Sequence, residues 1–146
     1  INKNFLNSFL IIIIAQIIIG AFLAGLNGGL LYNSWPDMNG NFLPNDIVKS
    51  DLYNSESLNN ASVVQFYHRT VAYILIFFLI ILNYFFYKKR IQSKSIILFN
   101  IAVLFQIILG IITLITGVKI YYASLHQLGS VFVLISFLFI YYKNTN

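Results

Sequence analysis

Four continuous apolar segments, at about residues 5–31, 61–87, 95–118 and 121–142, constrain the fold of this chain more than any other feature. A helix needs roughly 20 apolar residues to cross the hydrocarbon core of a bilayer, and each segment reaches that length. Strands of a membrane barrel alternate polar and apolar residues, which these segments do not do. The sequence therefore predicts an all-α fold, an integral membrane four-helix up-and-down bundle that forms one domain over residues 1–146.

The composition agrees with a membrane protein and excludes several other classes. Hydrophobic residues make up 59% of the chain and charged residues 9%, whereas soluble domains have about 45–50% and about 25%. The chain therefore lacks the polar residues that a soluble enzyme, a nucleic-acid-binding domain or a disordered regulator needs. It has no cysteine, which excludes disulfides, thiolate metal sites and any cofactor attached through a thioether.

The basic residues predict the orientation of the bundle. One side, made of the two termini and the loop between the second and third segments, has six of the nine basic residues and no acidic residue. The positive-inside rule places this side, with both termini, in the cytoplasm or the mitochondrial matrix, across a bacterial or mitochondrial inner membrane. The charged residues of the two sides are Lys3, Lys88, Lys89, Arg90, Lys94 and Lys143 inside, and Asp37, Asp46, Lys49, Asp51, Glu56, Arg69 and Lys119 outside.

The connection between the first two segments, at about residues 32–60, is long and faces outward. It contains both prolines and the only tryptophan, Trp35. Connections of this length are typically either functional or disordered. Two interpretations stay open, a lid over an outward-facing pocket and a loop that only tethers the helices.

The two halves of the chain have their polar residues in the same order. The first segment contains Gln-Ile-Ile-Ile-Gly at residues 16–20, the third contains Gln-Ile-Ile-Leu-Gly at residues 106–110, and the second and fourth each contain one histidine. This order predicts two related helical hairpins with parallel topology. Chance similarity between isoleucine-rich segments is the alternative. Gly25 and Gly29 have the spacing of small residues that let helices pack closely.

The chain has two histidines, His68 and His126, and both lie inside predicted membrane spans. At 1.5 Å per helical residue, both lie on the order of 10 Å below the outer surface. Ionisable residues inside a membrane indicate a functional site. Two imidazoles at one depth on parallel helices favour the two axial ligands of a heme iron, because zinc or copper sites take three or four donors. Two separately hydrogen-bonded histidines are the alternative.

Three polar residues near the histidines are candidates for contacts around such a heme. Arg69 follows His68, and its guanidinium is placed either to pair with a heme propionate or to extend to the membrane interface. Gln65 lies one helical turn before His68, and Gln127 is adjacent to His126. Neither amide can act as a general acid or base, so both are expected only to donate or accept hydrogen bonds.

Five motifs follow one another along nearly the whole chain. They are Gly-Ala-Phe-Leu-Ala-Gly-Leu-Asn-Gly-Gly at 20–29, Tyr-Asn-Ser-Trp-Pro-Asp-Met at 32–38, Phe-Leu-Pro at 42–44, Val-Gln-Phe-Tyr-His-Arg at 64–69 and Ala-Ser-Leu-His-Gln-Leu-Gly at 123–129. This ordered series resembles the second half of heme A synthase, in the proteobacterial and mitochondrial branch of that family.

The resemblance implies an enzyme of eight helices in two similar bundles, which oxidises a methyl group of heme O to the formyl group of heme A for cytochrome oxidase assembly. It implies that His68 and His126 correspond to the pair that binds a b-type heme, whereas the other half hosts the substrate. The corresponding first-half motif has Glu where this chain has Gln65. The resemblance therefore assigns this chain to the cofactor half and assigns it no catalytic residue. Because the chain begins with Ile1, we expect it to be processed or part of a longer protein.

We therefore expect an oxidoreductase half that supplies electron transfer to heme O oxidation. Its expected partners are the substrate heme O, membrane lipid, a separate N-terminal half and heme O synthase, with no nucleic acid. A stand-alone b-type cytochrome that only carries electrons is the first alternative. A structural assembly factor that binds neighbouring membrane proteins is the second.

Overall fold

The computed structural model describes residues 1–91 and 93–145 and contains four long α-helices. These are α1 (Lys3–Gly25), α2 (Ala61–Lys88), α3 (Lys94–Ile115) and α4 (Ile120–Thr145). All four are long and apolar enough to cross a membrane, and the described ranges contain no β-strand. The predicted all-α membrane bundle is therefore confirmed.

Side-chain caps set the starts of α1 and α2, and a backbone break sets the end of α1. Asn2 accepts a hydrogen bond from the backbone N–H of Asn4 at the start of α1, and Asn60 caps α2 in the same way. α1 ends at Gly25, before the end of its apolar segment, because Asn27 adopts a left-handed conformation with φ 52°. Hydropathy predicted a longer helix here because the residues beyond the break are still apolar.

The helices pack in an up-and-down arrangement. α1 lies against α2 and α4, and α3 lies against α4. The hydroxyl of Tyr141 near the end of α4 donates to Asn7 Oδ1 near the start of α1, at 2.7 Å. Asn83 of α2 and Asn100 of α3 exchange two amide hydrogen bonds of 2.7 and 2.9 Å. The relation of α1–α2 to α3–α4 as two copies of one hairpin stays a prediction.

The hydrophobic core lies at the end of the bundle that carries the two termini, which we call the termini end. Phe9, Phe99 and Phe137 are fully buried there, with ring centroids 4.8–5.7 Å apart. The other buried members of this cluster are Leu6, Ile13, Leu82, Phe86, Ile96, Val133 and Ile140. The opposite end, which we call the loop end, carries the long connection between α1 and α2.

That connection is ordered over the loop end. It contains three 3-10 turns, at Gly28–Leu30, Lys49–Leu52 and Ser57–Asn59. Within the connection, the side chains of Met38, Pro44 and Ile47 are buried, although most of its other residues are exposed. The connection therefore packs on the bundle through a few apolar side chains.

Candidate paired-histidine site

The structure brings His68 and His126 together at the loop end. His68 lies seven residues into α2 and His126 six residues into α4, and these helices run in the same direction. Their ring centroids are 6.5 Å apart, and the ring planes cross at 79°. Two imidazoles from different helices thus lie at one depth, as the sequence predicted from helix lengths alone.

This separation suits one metal ion between the two rings. Imidazoles that each form a bond of about 2 Å to one ion, from opposite sides, have centroids on the order of 6 Å apart. The Nδ1 atoms of both rings are buried and lack a hydrogen-bond partner within the described residues. No group of three or more His, Asp or Glu side chains in the described ranges forms a metal site. The pair therefore suits an ion whose remaining ligands come from a bound group.

A glutamine from the neighbouring helix lies beside each histidine. Gln16 Nε2 of α1 is 3.3 Å from His68 Nε2, and Gln106 Nε2 of α3 donates to the backbone carbonyl of His126 at 2.7 Å. The Oε1 atoms of both glutamines are buried and have no partner in the described residues. In the sequence, these glutamines indicate only a repeat. The signal that could have identified them is their matching position in two otherwise apolar helices.

Arg69 holds the start of the long connection. Its Nη1 donates to the carbonyls of Ser34 and Asp37 at 3.0 and 2.7 Å, and its Nη2 donates to the carbonyl of Tyr32 at 2.8 Å. Its Nε atom is buried without a partner in the described part of the chain. Attachment of the connection was not among the two roles expected for Arg69, because the sequence does not show the path of the loop over α2.

The two glutamines predicted near the histidines lie in different environments. Gln65 is buried, and its Nε2 donates to the carbonyl of Tyr32 at 3.0 Å, beside the Arg69 contact. Gln127 is exposed, and its backbone carbonyl accepts a hydrogen bond from Ser130. Contacts of Arg69, Gln65 and Gln127 with a heme remain predictions.

A carboxylate in the connection forms a second attachment to α2. Asp46 accepts hydrogen bonds from the hydroxyls of Tyr32 and Ser62, at 2.6 and 2.5 Å. Desolvation raises the pKa of Asp46, but the hydrogen bonds from Ser62 and Tyr32 outweigh it and hold this pKa below its ordinary value. Burial and the Asp46 carboxylate together raise the pKa of Tyr32. The attachment is therefore formed by an ionised Asp46 and a neutral Tyr32.

Four apolar spanning helices with two histidines at one end define an integral membrane bundle with a paired-histidine site. The chain belongs to the cytochrome oxidase assembly protein family, whose sequence profile matches residues 2–138. The resemblance found in the sequence motifs is confirmed by this match.

Curated relatives named heme A synthase are similar to this chain. The protein of Pelagibacter ubique (strain HTCC1062) is 58% identical over 146 residues, which are 100% of this chain and 44% of the relative. The protein of Wolbachia sp. subsp. Brugia malayi (strain TRS) is 37% identical over 87% of this chain and 37% of the relative. The chain thus spans less than half the length of these relatives. No solved structure matches it.

Proposed function

We propose that this chain is the heme b-binding half of a heme A synthase, and that it supplies electron transfer to the oxidation of heme O during cytochrome oxidase assembly. The single observation that carries the proposal is the 6.5 Å separation of two imidazoles on different membrane helices. A heme held by two histidines has no open coordination position, so when bound it supplies electron transfer rather than oxygen binding.

The residues of this chain would bind and orient that heme. His68 and His126 would hold the heme iron. Gln16 and Gln106 support the two histidines from α1 and α3. The apolar side chains of the helices would exclude water from the heme. Exclusion of water changes the reduction potential of a redox centre. We assign no catalytic residue to this chain.

The relatives support the rest of the proposal. Because they are named heme A synthase and the motifs of this chain resemble the second half of that enzyme, we propose that heme O binds to a first half. Heme O synthase would be the source of that substrate. The charge distribution supports an orientation with both termini on the cytoplasmic or matrix side of an inner membrane.

A stand-alone b-type cytochrome would use the same histidine pair. The ordered connection favours the synthase, because a simple electron carrier has little need for a loop attached to α2 by Arg69, Gln65 and Asp46. Measurement of the heme A product separates the two functions.

The heme assignment is tested by reduced-minus-oxidised absorption spectra of the purified chain. We expect a low-spin b-type signal in the wild type and its loss or conversion in both His68→Ala and His126→Ala. Leu125→Ala is the matched control, because this exposed residue adjoins His126 and has no proposed contact with the heme. Unchanged spectra in both histidine variants would contradict the axial-ligand assignment.

The synthase assignment is tested by supplying heme O to membranes that contain this chain, with and without a co-expressed first half of a relative. We expect heme A only when both halves are present, measured by chromatography of extracted hemes. Heme A formed by this chain alone would show that it is more than the cofactor half. A heme-loaded chain that never supports heme A formation would favour the cytochrome.

A further inference from the structure

We propose that Gly20 and Gly110 are positioning residues that set the orientation of the two imidazole rings, an inference that rests on the proposed heme site. A Cβ atom added at Gly20 would lie 3.1 Å from His68 Cε1. A Cβ atom added at Gly110 would lie 2.8 Å from His126 Cε1. Each ring thus lies close against the backbone of the neighbouring helix, so an added Cβ would require His126 to move and His68 to shift by a few tenths of an ångström.

Each glycine shares a helix face with the glutamine described above. Gln16 and Gly20 are four residues apart on α1, as are Gln106 and Gly110 on α3, and residues at this spacing lie one above the other. We call each glutamine–glycine pair a cradle. The α1 cradle contacts the ring of His68, whereas the α3 cradle contacts the ring of His126 through Gly110 and its backbone through Gln106.

Close helix packing is the usual reason for glycine in a membrane helix, and other glycines of this chain show the difference. A Cβ added at Gly28 would meet Leu23 and the backbone oxygen of Ala61, which is a helix-packing contact. A Cβ added at Gly25 would meet no atom of the described residues within 4 Å. At Gly20 the atoms within 4 Å belong to His68, and at Gly110 the nearest three belong to His126. These two glycines therefore make room for the histidine rings.

The two cradles constrain the angle between the imidazole rings of His68 and His126. The rings cross at 79°, and each is limited on one side by its cradle. In a low-spin ferric heme, the angle between two axial imidazole planes controls the splitting of the iron d orbitals. That splitting is read directly as the anisotropy of the electron paramagnetic resonance (EPR) spectrum. A methyl group at either glycine would turn or displace one ring and change this anisotropy.

The test compares Gly20→Ala and Gly110→Ala with the wild type and with Gly25→Ala, the matched control. The purified, heme-loaded chains are measured for the largest EPR g value, midpoint potential, heme-to-protein ratio and helix content. We expect a shift in the g value and the midpoint potential in both test variants, larger in Gly110→Ala because its contact is shorter. Helix content should stay unchanged, because alanine is the better helix former.

Loss of heme from a test variant that keeps its helix content would support the proposal, provided that Gly25→Ala stays loaded. EPR spectra and midpoint potentials of both test variants equal to those of Gly25→Ala would overturn it. Failure of both variants to fold even without heme would also overturn it, because the glycines would then serve helix packing. If only Gly110→Ala fails to fold, the EPR spectrum and the midpoint potential of Gly20→Ala test the proposal. A wild-type chain without b-type heme, or a spectrum unchanged in both histidine variants, overturns the proposed function, and this inference with it.

Discussion

His68 and Arg69 are adjacent in the sequence but contact different parts of the molecule. An α-helix turns about 100° per residue, so neighbouring side chains leave it in different directions. The ring of His68 lies within the bundle beside Gln16, whereas the guanidinium of Arg69 reaches three carbonyls of the connection. One short stretch of α2 thus positions a candidate ligand and attaches the loop. The residue types were evident in the sequence, but the partners of Arg69 were not.

Replacing Arg69 with lysine should loosen the connection while keeping the positive charge. A lysine ammonium cannot reach three carbonyls in the planar arrangement that the guanidinium uses. We expect a loss of about 1–3 kcal/mol in the free energy of unfolding. Faster proteolysis within residues 32–60 should accompany that loss. Arg90→Lys, the same change at an exposed position, is the control. Equal stability and equal proteolysis in the two variants would contradict this role of Arg69.

The Asp46 attachment should weaken in acid. Because the pKa of Asp46 in the folded protein is lower than its ordinary 3.8, the attachment contributes fully above that value and is lost as the pH falls through the folded-state pKa. Trp35, the only tryptophan, lies in the same connection and reports its mobility. We expect acrylamide quenching of Trp35 to increase below about pH 4.

Asp46→Asn is the comparison for this titration. It cannot ionise, so its quenching should be higher at neutral pH and should change less on acidification. The Asp37 carboxylate is a second contributor, because a hydrogen bond from Ser34 lowers its pKa. A wild-type titration with the same profile as that of Asp46→Asn would show that Asp46 does not hold the connection.

At the scale of elements, the four helices were predictable because membrane insertion depends on the apolar character of a local segment. A segment of sufficient length must be helical, since no water is present in the bilayer to satisfy its backbone. The end of α1 was predicted too late, because the left-handed Asn27 breaks the helix inside an apolar stretch. The pairing of α2 with α3 through Asn83 and Asn100 was not foreseen, because it depends on the rotation of both helices.

The amide pair should couple α2 to α3. Asn83→Leu leaves Asn100 without its partner across the interface, and a polar group unpaired in hydrocarbon is costly. The double variant Asn83→Leu/Asn100→Leu removes both amides together. We expect a double-mutant cycle of unfolding free energies to give a coupling of about 1 kcal/mol. Additive effects of the two substitutions would show that the hydrogen bonds do not stabilise the helix pair.

At the scale of the whole molecule, the aromatic core and the histidine pair occupy opposite ends of the bundle. The aromatic core around Phe9, Phe99 and Phe137 lies at the termini end, where all four helices contribute buried residues. The histidines, their glutamines and the attached connection lie at the loop end. This division lets the core hold the helices together while the loop end places the candidate ligands.

Truncation of the core should therefore affect stability without changing the histidine pair. In Phe137→Ala the lost contacts should cost about 1–3 kcal/mol, less than in soluble cores because hydrocarbon also surrounds the unfolded helices. Phe132→Ala is the matched control, since Phe132 lies on the same helix and is 68% exposed. We expect Phe137→Ala to unfold at lower denaturant with an unchanged heme spectrum. A changed spectrum would show that the two ends are coupled.

The number of membrane spans, the class of fold and the common depth of His68 and His126 follow from the sequence. These properties depend on segment length and on position along a helix of known rise. Which side chains meet depends on how the helices pack: Gln16 and Gly20 with His68, and Arg69 with the carbonyls of the connection. The reason is that these helices are apolar on nearly every face, so their pattern does not indicate how each is rotated about its axis. Packing of the four helices sets that rotation and, with it, the contacts of the histidine pair.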